Sequence, residues 1–303
     1  EGELSKALTK QFLPARSSLL ENYLQEACGP ACQLGSASSV GGIGHQCALK
    51  FDGSVKCWGY GENITAPNGL VAKQIAVGDT HSCALKIDGT VKCWGSDKHG
   101  ETTVPNGLVA KQVAAGGEFS CALKMDNTVE CWGDNNSEKT TVPNGLVAKQ
   151  IALGYGHACA IKLDDTLKCW GDLPRGSPSQ LIVKRVALGH DSACAIKLDG
   201  SVQCWGSALH RNGPFFNRVI DVPNGLIAKK IALGERHACA LRLNNTVTCW
   251  GLSDFGQADP PEGLMAKEVV AGGRSSCALK LNNTVECWGS TLNPPSGLIA
   301  KQL

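Results

Sequence analysis

The apolar and polar positions of this chain repeat. Residues 69–95, GLVAKQIAVGDTHSCALKIDGTVKCWG, hold two short apolar runs, 70–77 and 83–87, bounded by Gly, Asp and Asn. This is strand-and-turn patterning, with no helical period inside it. The dipeptide between the two cysteines is Asp-Gly, Asp-Asn, Asp-Asp or Asn-Asn in the different copies. Its second residue is always a type that tolerates the left-handed backbone. The first half recurs from Gly107, Gly145, Gln180, Gly225 and Gly263, and the second half occurs seven times, always ending Cys-Trp-Gly. All seven tryptophans fall in that tripeptide, 35 to 45 residues apart. Self-similarity at this period predicts a solenoid or a propeller.

The ends of the repeat array choose between them. The first copy has the CALKFDGSVKCWG half without a GLVAKQ half before it, and residues 297–303, GLIAKQL, have no partner after them. An open solenoid needs polar capping repeats, whereas joining these two pieces closes a ring. The expected fold is all-β: a seven-bladed β-propeller over residues 38–303, closed by pairing of the C-terminal strand with the first repeat. Residues 1–37 lie outside the repeat and predict a short N-terminal helical arm. Ser18-Leu19-Leu20-Glu21 is a capping box, Leu20, Tyr23, Leu24 and Ala27 fall on one helical face, and Gly29-Pro30 ends the helix. The arm is either a clasp on the propeller or a docking segment for a partner.

Cysteine usage changes the picture. Sixteen cysteines in regular pairs fit an oxidising compartment. With a three-residue turn ending at the left-handed position, Cys83 and Cys93 face each other as a non-hydrogen-bonded cross-strand pair, near disulfide range. The same register predicts Cys47–Cys57, Cys121–Cys131, Cys159–Cys169, Cys194–Cys204, Cys239–Cys249 and Cys277–Cys287. Cys28 and Cys32, in CGPAC, are left for a structural bridge at the end of the arm. Zinc is the rival, because His45, His81, His157 and His237 each precede such a cysteine by two positions. The matching positions elsewhere are Phe119, Ser192 and Ser275, which cannot replace a ligand. The histidines are therefore expected to satisfy backbone groups in a turn, and no metal or cofactor is expected.

A net charge of +2 argues against a nucleic-acid binder, and no apolar run has the length of a membrane span. The first residues, Glu1-Gly2-Glu3, read as a processed N-terminus. Sequons begin at Asn63, Asn135, Asn244 and Asn282 and are candidate glycosylation sites. Together these predict a secreted or extracellular protein, with an oxidising organelle lumen (the thylakoid included) or a periplasm as alternatives.

Function should sit where the copies differ. One variable set precedes the His position: Ile43-Gly44, Asp79-Thr80, Gly117-Glu118, Tyr155-Gly156, His190-Asp191, Glu235-Arg236 and Gly273-Arg274. Ring symmetry places these on one face. A second set follows Cys-Trp-Gly, the longest member being residues 207–222 with Arg211, Phe215 and Phe216. The candidate partner-binding residues are Tyr155, His190, Arg236, Arg274, Arg211, Phe215 and Phe216, with Leu20, Tyr23 and Leu24 of the arm. Two basic positions recur in every copy, at Lys73 and at Lys50 and their equivalents. They suit solubility at strand edges, or an anionic or carbohydrate ligand. No catalytic motif is present. The function expected is a non-enzymatic, protein-binding accessory or scaffolding subunit. A secreted enzyme inhibitor and a carbohydrate-binding propeller are the alternatives.

The pattern Gly-x-x-His-x-Cys-Ala-Leu-x-x-Asp-Gly-x-Val-x-Cys-Trp-Gly resembles the regulator of chromosome condensation repeat, over residues 41–303. The resemblance implies a seven-bladed propeller of four-stranded blades. The paired cysteines depart from the intracellular members, and no basic nucleosome-facing surface is visible. The chain is more similar to a secreted bacterial branch that includes a propeller-type β-lactamase inhibitory protein. Its loops do not match that relative's, so no contact residue transfers.

Overall fold

The computed structural model describes residues 44–61, 64–206, 221–290 and 293–303. Among these the secondary structure is β, apart from a single 3-10 turn at Asn136–Glu138. The strands form seven antiparallel sheets. We number these blades I to VII: residues 45–59, 72–95, 110–133, 148–171, 185–206, 228–251 and 266–289. Blade I has two strands, His45–Leu49 and Val55–Gly59; the others have three, as in Ala72–Val77, His81–Lys86 and Val91–Gly95 of blade II. The four strands implied by the family resemblance are therefore not found among the described residues. Where it is described, the segment after Cys-Trp-Gly is a loop instead. Those leading to blades III, IV, VI and VII carry Pro105, Pro143, Pro223 and Pro261, which cannot donate to a ladder.

Each hairpin turns on three residues. In blade II, Lys86 N donates to Thr90 O at 2.9 Å, Gly89 has φ +85°, and Asp88 Oδ1 accepts from Thr90 N and Oγ1. Asn127, Asp165, Asn245 and Asn283 hold the same left-handed position. Counting from the hydrogen-bonded Lys86–Thr90 pair, Cys83↔Cys93 falls on a non-hydrogen-bonded pair. Seven disulfides follow, one per blade, each between directly opposed cysteines with Cα atoms 4.0 Å apart. Residues 1–43, and with them the helical arm and Cys28–Cys32, lie outside the described residues.

Alternate residues of each strand point to opposite neighbours. Ile75 and Val77 pack against Cys47 and Leu49 of blade I; Ala76 and Leu85 pack against Val113 and Trp132 of blade III. Both sheet faces are covered, so the central strand of each blade reads as one apolar run. The innermost strand has a free edge, which the preceding blade satisfies: Gln74 donates to Val113 O at 3.1 Å and accepts from Val113 N at 3.2 Å. Gln112 treats Ile151 the same way. At the last blade, Glu268 Oε2 accepts from Leu303 N at 3.0 Å. Leu49 N donates to Gln302 O at 2.9 Å, and Val270, Cys277 and Leu279 share a core cluster with Ala48, Trp58, Ala300 and Leu303.

Candidate binding face

Antiparallel order puts the hairpin tips at one end of the sheets and the Gly-x-x-His segments at the other. At the latter end the innermost strand of blades II to VII is followed by a glycine. A Cβ on Gly78 would lie 2.4 Å from Gly116 O, and one on Gly116, Gly154, Gly189 or Gly234 would lie 2.1 to 2.7 Å from the next blade's glycine carbonyl. Only a residue without a Cβ permits that approach. The following amide then bonds the same carbonyl: Asp79 N to Gly116 O (3.1 Å), Gly117 N to Gly154 O (3.2 Å), Tyr155 N to Gly189 O (3.3 Å) and Glu235 N to Gly272 O (3.2 Å). The variable residues of blades II to VII therefore stand in one row at this end, which we call the mouth.

The mouth is aromatic and charged. Tyr155 and His190 stack with centroids 4.1 Å apart, and His190 Nδ1 lies 3.1 Å from Asp191 Oδ1. That hydrogen bond raises the His190 pKa and lowers that of Asp191. Glu235 pairs with Arg236 at 3.5 Å, and Glu118 with His99 at 3.7 Å. Lys139 is buried, 5.6 Å above the Phe119 ring, and bound to Asp134 at 2.6 Å. Asp79 is 7 % exposed and neither carboxylate oxygen has a hydrogen-bond partner. Burial pushes its pKa up to about 6; His190 and Lys139 oppose the shift, and Glu118 and Glu235 add to it.

Of the candidates from sequence, Tyr155, His190 and Arg236 are brought together here. Arg274 lies farther out, 4.8 Å over the Phe255 ring of the preceding loop. Arg211, Phe215, Phe216, Leu20, Tyr23, Leu24 and Asn63 lie outside the described residues. Asn135 is exposed in the loop after blade III, where its side chain bonds Thr140 N and Thr141. Asn244 and Asn282 are exposed at hairpin tips, at the other end of the blades. The acidic members Asp79, Glu118 and Glu235 were absent from the candidate set. Their signal was positional, since they fill the slots that hold Tyr155, Gly156 or His190 in other copies.

The histidines differ from expectation. Three of them bond across blades and not to turn backbone: His45 Nε2 lies 2.8 Å from Ser82 Oγ, and His81–Ser120 and His237–Ser276 repeat that distance. The reason is register, which sets each His against the residue after the His position in the next blade. In blade III that position holds the apolar Phe119, opposite Ala158 of blade IV. The position equivalent to Ser82 and Ser120 for His157 is Ala193, which has no hydroxyl, and neither ring nitrogen has a partner. Burial lowers all four histidines to about 4. Among the described residues no group of His, Cys, Asp and Glu could hold a metal ion.

Trp132 Nε1 fastens a loop by donating to Glu101 O at 3.0 Å, and Trp94, Trp170 and Trp288 bind the corresponding loops. The lysine rings are tied down locally. Lys111, Lys149, Lys229 and Lys267 reach the left-handed turn residue of their own hairpin, and Lys50, Lys86 and Lys162 pair with turn aspartates. The tips also expose one apolar side chain per blade, from Leu281 at 51 % to Ile87 and Leu243 at 66 %.

The family model for the Regulator of chromosome condensation (RCC1) repeat matches residues 72–101, 110–138, 148–172 and 228–257. Those four stretches are RCC1 repeats. Its fold is also similar to solved structures. The entire ectodomain of the Physcomitrella patens receptor kinase CR4 is 26% identical, with a TM-score of 0.68, over 86% of this chain and 75% of that one. The CRINKLY WD40 ectodomain of the Arabidopsis thaliana receptor kinase ACR4 is 24% identical, with a TM-score of 0.67, over 81% and 91%. Yeast RCC1 (Prp20), solved with Kap60 bound, is 18% identical, with a TM-score of 0.61, over 85% and 80%. No curated protein sequence matches the chain. Among the described residues no helix is long and apolar enough to cross a membrane.

Proposed function

We propose that this RCC1-repeat chain is a non-enzymatic propeller that binds protein in an oxidising, secreted or extracellular setting, as an accessory or scaffolding subunit. One observation carries the reading. The frame of every copy is the same, down to its Trp, Cys pair and Asx turn, while the mouth is different in each blade. A lectin with repeated shallow sites would repeat its aromatic and polar set. Asp79, Gly117, Tyr155, His190 and Glu235 do not repeat. A single irregular partner surface is what such a mouth complements.

Seven disulfides support the compartment, because such bonds persist where thiols are not kept reduced. The CR4 similarity supports an extracellular address. The Kap60 complex of yeast RCC1 supports the use of this architecture as a protein platform. The mouth is held together by ring closure, in which residues 300–303 supply the inner edge of blade I. Glu268 at Leu303 N stands where Gln74 stands at Val113 N.

Photo-crosslinking residues at 155, 190 and 236, compared with 87 and 243 at the hairpin tips, test the reading in the source's extracellular fluid. The mouth positions should all trap one protein species and the tip positions should not. Equal trapping at both ends, or trapping at the tips alone, would refute it.

A further inference from the structure

The hairpin-tip end has a chemistry of its own. Most of the large apolar side chains exposed among the described residues stand there, two for each blade. One is the tip residue before the Asx turn, from Phe51 in blade I (61 %) to Leu281 in blade VII. The other opens the next inner strand, from Val71 (48 %) round to Ile299 (44 %). The backbone joins the two sets. Ser54 bridges Val71, Thr90 bridges Val109, and the series runs on to Thr284 and Ile299. Ala72 N donates to Gly53 O at 2.8 Å, and Ala110 N donates to Gly89 O at 2.8 Å, so each tip lies against the start of the next blade. A single exposed aliphatic residue is ordinary, but an apolar belt repeated in every blade at one end marks a surface that is covered in use.

The belt is basic as well. Turn aspartates answer Lys50, Lys86 and Lys162. The ring that begins at Lys73 keeps more of its charge. Lys73 Nζ donates to Ile87 O at 3.4 Å, and Lys111 and Lys229 donate to the side-chain oxygens of Asn127 and Asn245. These acceptors are neutral, so they hold the ammonium groups at the tips without cancelling them; Lys149, on Asp165, is the contrast. The occupant of this face is therefore apolar and anionic. It is also laterally uniform, because every blade presents the same pair of apolar groups and the same lysine. A second copy laid tip to tip would set one lysine ring against another. We propose that the hairpin tips seat the propeller on an anionic lipid bilayer, with the apolar belt in the headgroup boundary and the Lys73 ring against the lipid phosphates. This goes beyond the protein-binding reading and does not depend on it, since the mouth is at the opposite end of the blades.

The test is flotation of the full chain with vesicles of phosphatidylcholine and phosphatidylglycerol in equal parts. The chain should float with them, and vesicles of phosphatidylcholine alone should bind it at least about tenfold more weakly. Replacing Ile87, Leu163 and Leu243 together by Ser should weaken binding to the mixed vesicles at least about tenfold, with an intact thermal transition showing that the variant folds. Lys111→Gln with Lys229→Gln should reduce the preference for the anionic lipid. An environment-sensitive fluorescent residue at position 87 should shift to the blue on binding, and the same residue at 190 should not. Absence of flotation, equal flotation with phosphatidylcholine alone, unchanged binding in the serine variant, or a shift at 190 alone overturns the proposal. A dimer of the full chain that the serine changes dissolve gives the face to a second copy, and a protein species trapped at 87 and 243 gives it to a protein partner; either overturns it. Failure of flotation leaves the mouth reading standing, because that is decided by crosslinks at 155, 190 and 236.

Discussion

His81 Nε2 lies 2.8 Å from Ser120 Oγ, across the interface between blades II and III, and Ser120 Oγ in turn donates to Glu101 O at 3.0 Å. The buried imidazole, the hydroxyl and the inter-blade loop form one chain of hydrogen bonds. Ser120→Ala strands the His81 ring nitrogen, while the Glu101 carbonyl keeps its bond from Trp132 Nε1. We expect a loss of about 1–3 kcal/mol in equilibrium denaturation.

His157 provides the contrast, because the equivalent of the serine position is Ala193 and its ring nitrogens have no partner. Blade III already answers the same slot with Phe119 opposite Ala158. His157→Phe should therefore be neutral or stabilising in the same assay, where His81→Phe, which leaves Ser120 facing an apolar ring, is destabilising.

Acid should loosen the blades. Burial lowers His45, His81, His157 and His237 to about 4, below the ordinary value of 6.5. The unfolded chain then binds more protons than the folded one between those values. Their contribution is fully present above about pH 6.5 and is lost as pH falls toward 4. The thermal midpoint should drop through that window. A flat midpoint from pH 7 to 4 would contradict the buried, neutral state of these rings.

Asp79 has the opposite sign. Its pKa is raised from 3.8 to about 6, so the folded state holds a proton that the unfolded state has released. Ionised Asp79 disfavours folding above about pH 6, and the penalty fades toward pH 4. Asp79→Asn should raise stability at pH 7.5 by on the order of 2–3 kcal/mol, and the gap from the parent should shrink as pH falls. Measuring both chains across that range checks the direction.

The disulfides should matter locally. Each spans a sequence separation of 10 within one hairpin, while the blades are joined to one another by side-chain packing and hydrogen bonds. Replacing Cys121 and Cys131 together by Ala should cost at most about 2–3 kcal/mol and leave the other six bridges intact in non-reducing peptide maps. Loss of the whole fold would contradict that division of labour.

What the sequence made legible was local. Asp88-Gly89 and its Asn and Asp counterparts announce the left-handed turn, and that turn fixes the parity that sets Cys83 against Cys93. The partners of the histidines were hidden, because Ser82 and Ser120 lie 37 and 39 residues away and meet them only through inter-blade register. The blade width was misjudged because the segment after Cys-Trp-Gly belongs to the neighbouring Trp and not to a ladder. The mouth was legible as a set of variable positions. Its chemistry was not, since residue type alone cannot show that Asp79 is buried without a donor while Glu235 has Arg236.

Everything said of the mouth depends on a closed ring, in which residues 300–303 complete blade I. Hydrogen exchange at the Leu49 amide, which donates to Gln302 O, tests this most directly. The account predicts that Leu49 exchanges as slowly as the central strands and becomes fast when residues 299–303 are deleted. Rapid exchange at Leu49 in the full chain, or slow exchange that survives the deletion, would contradict it.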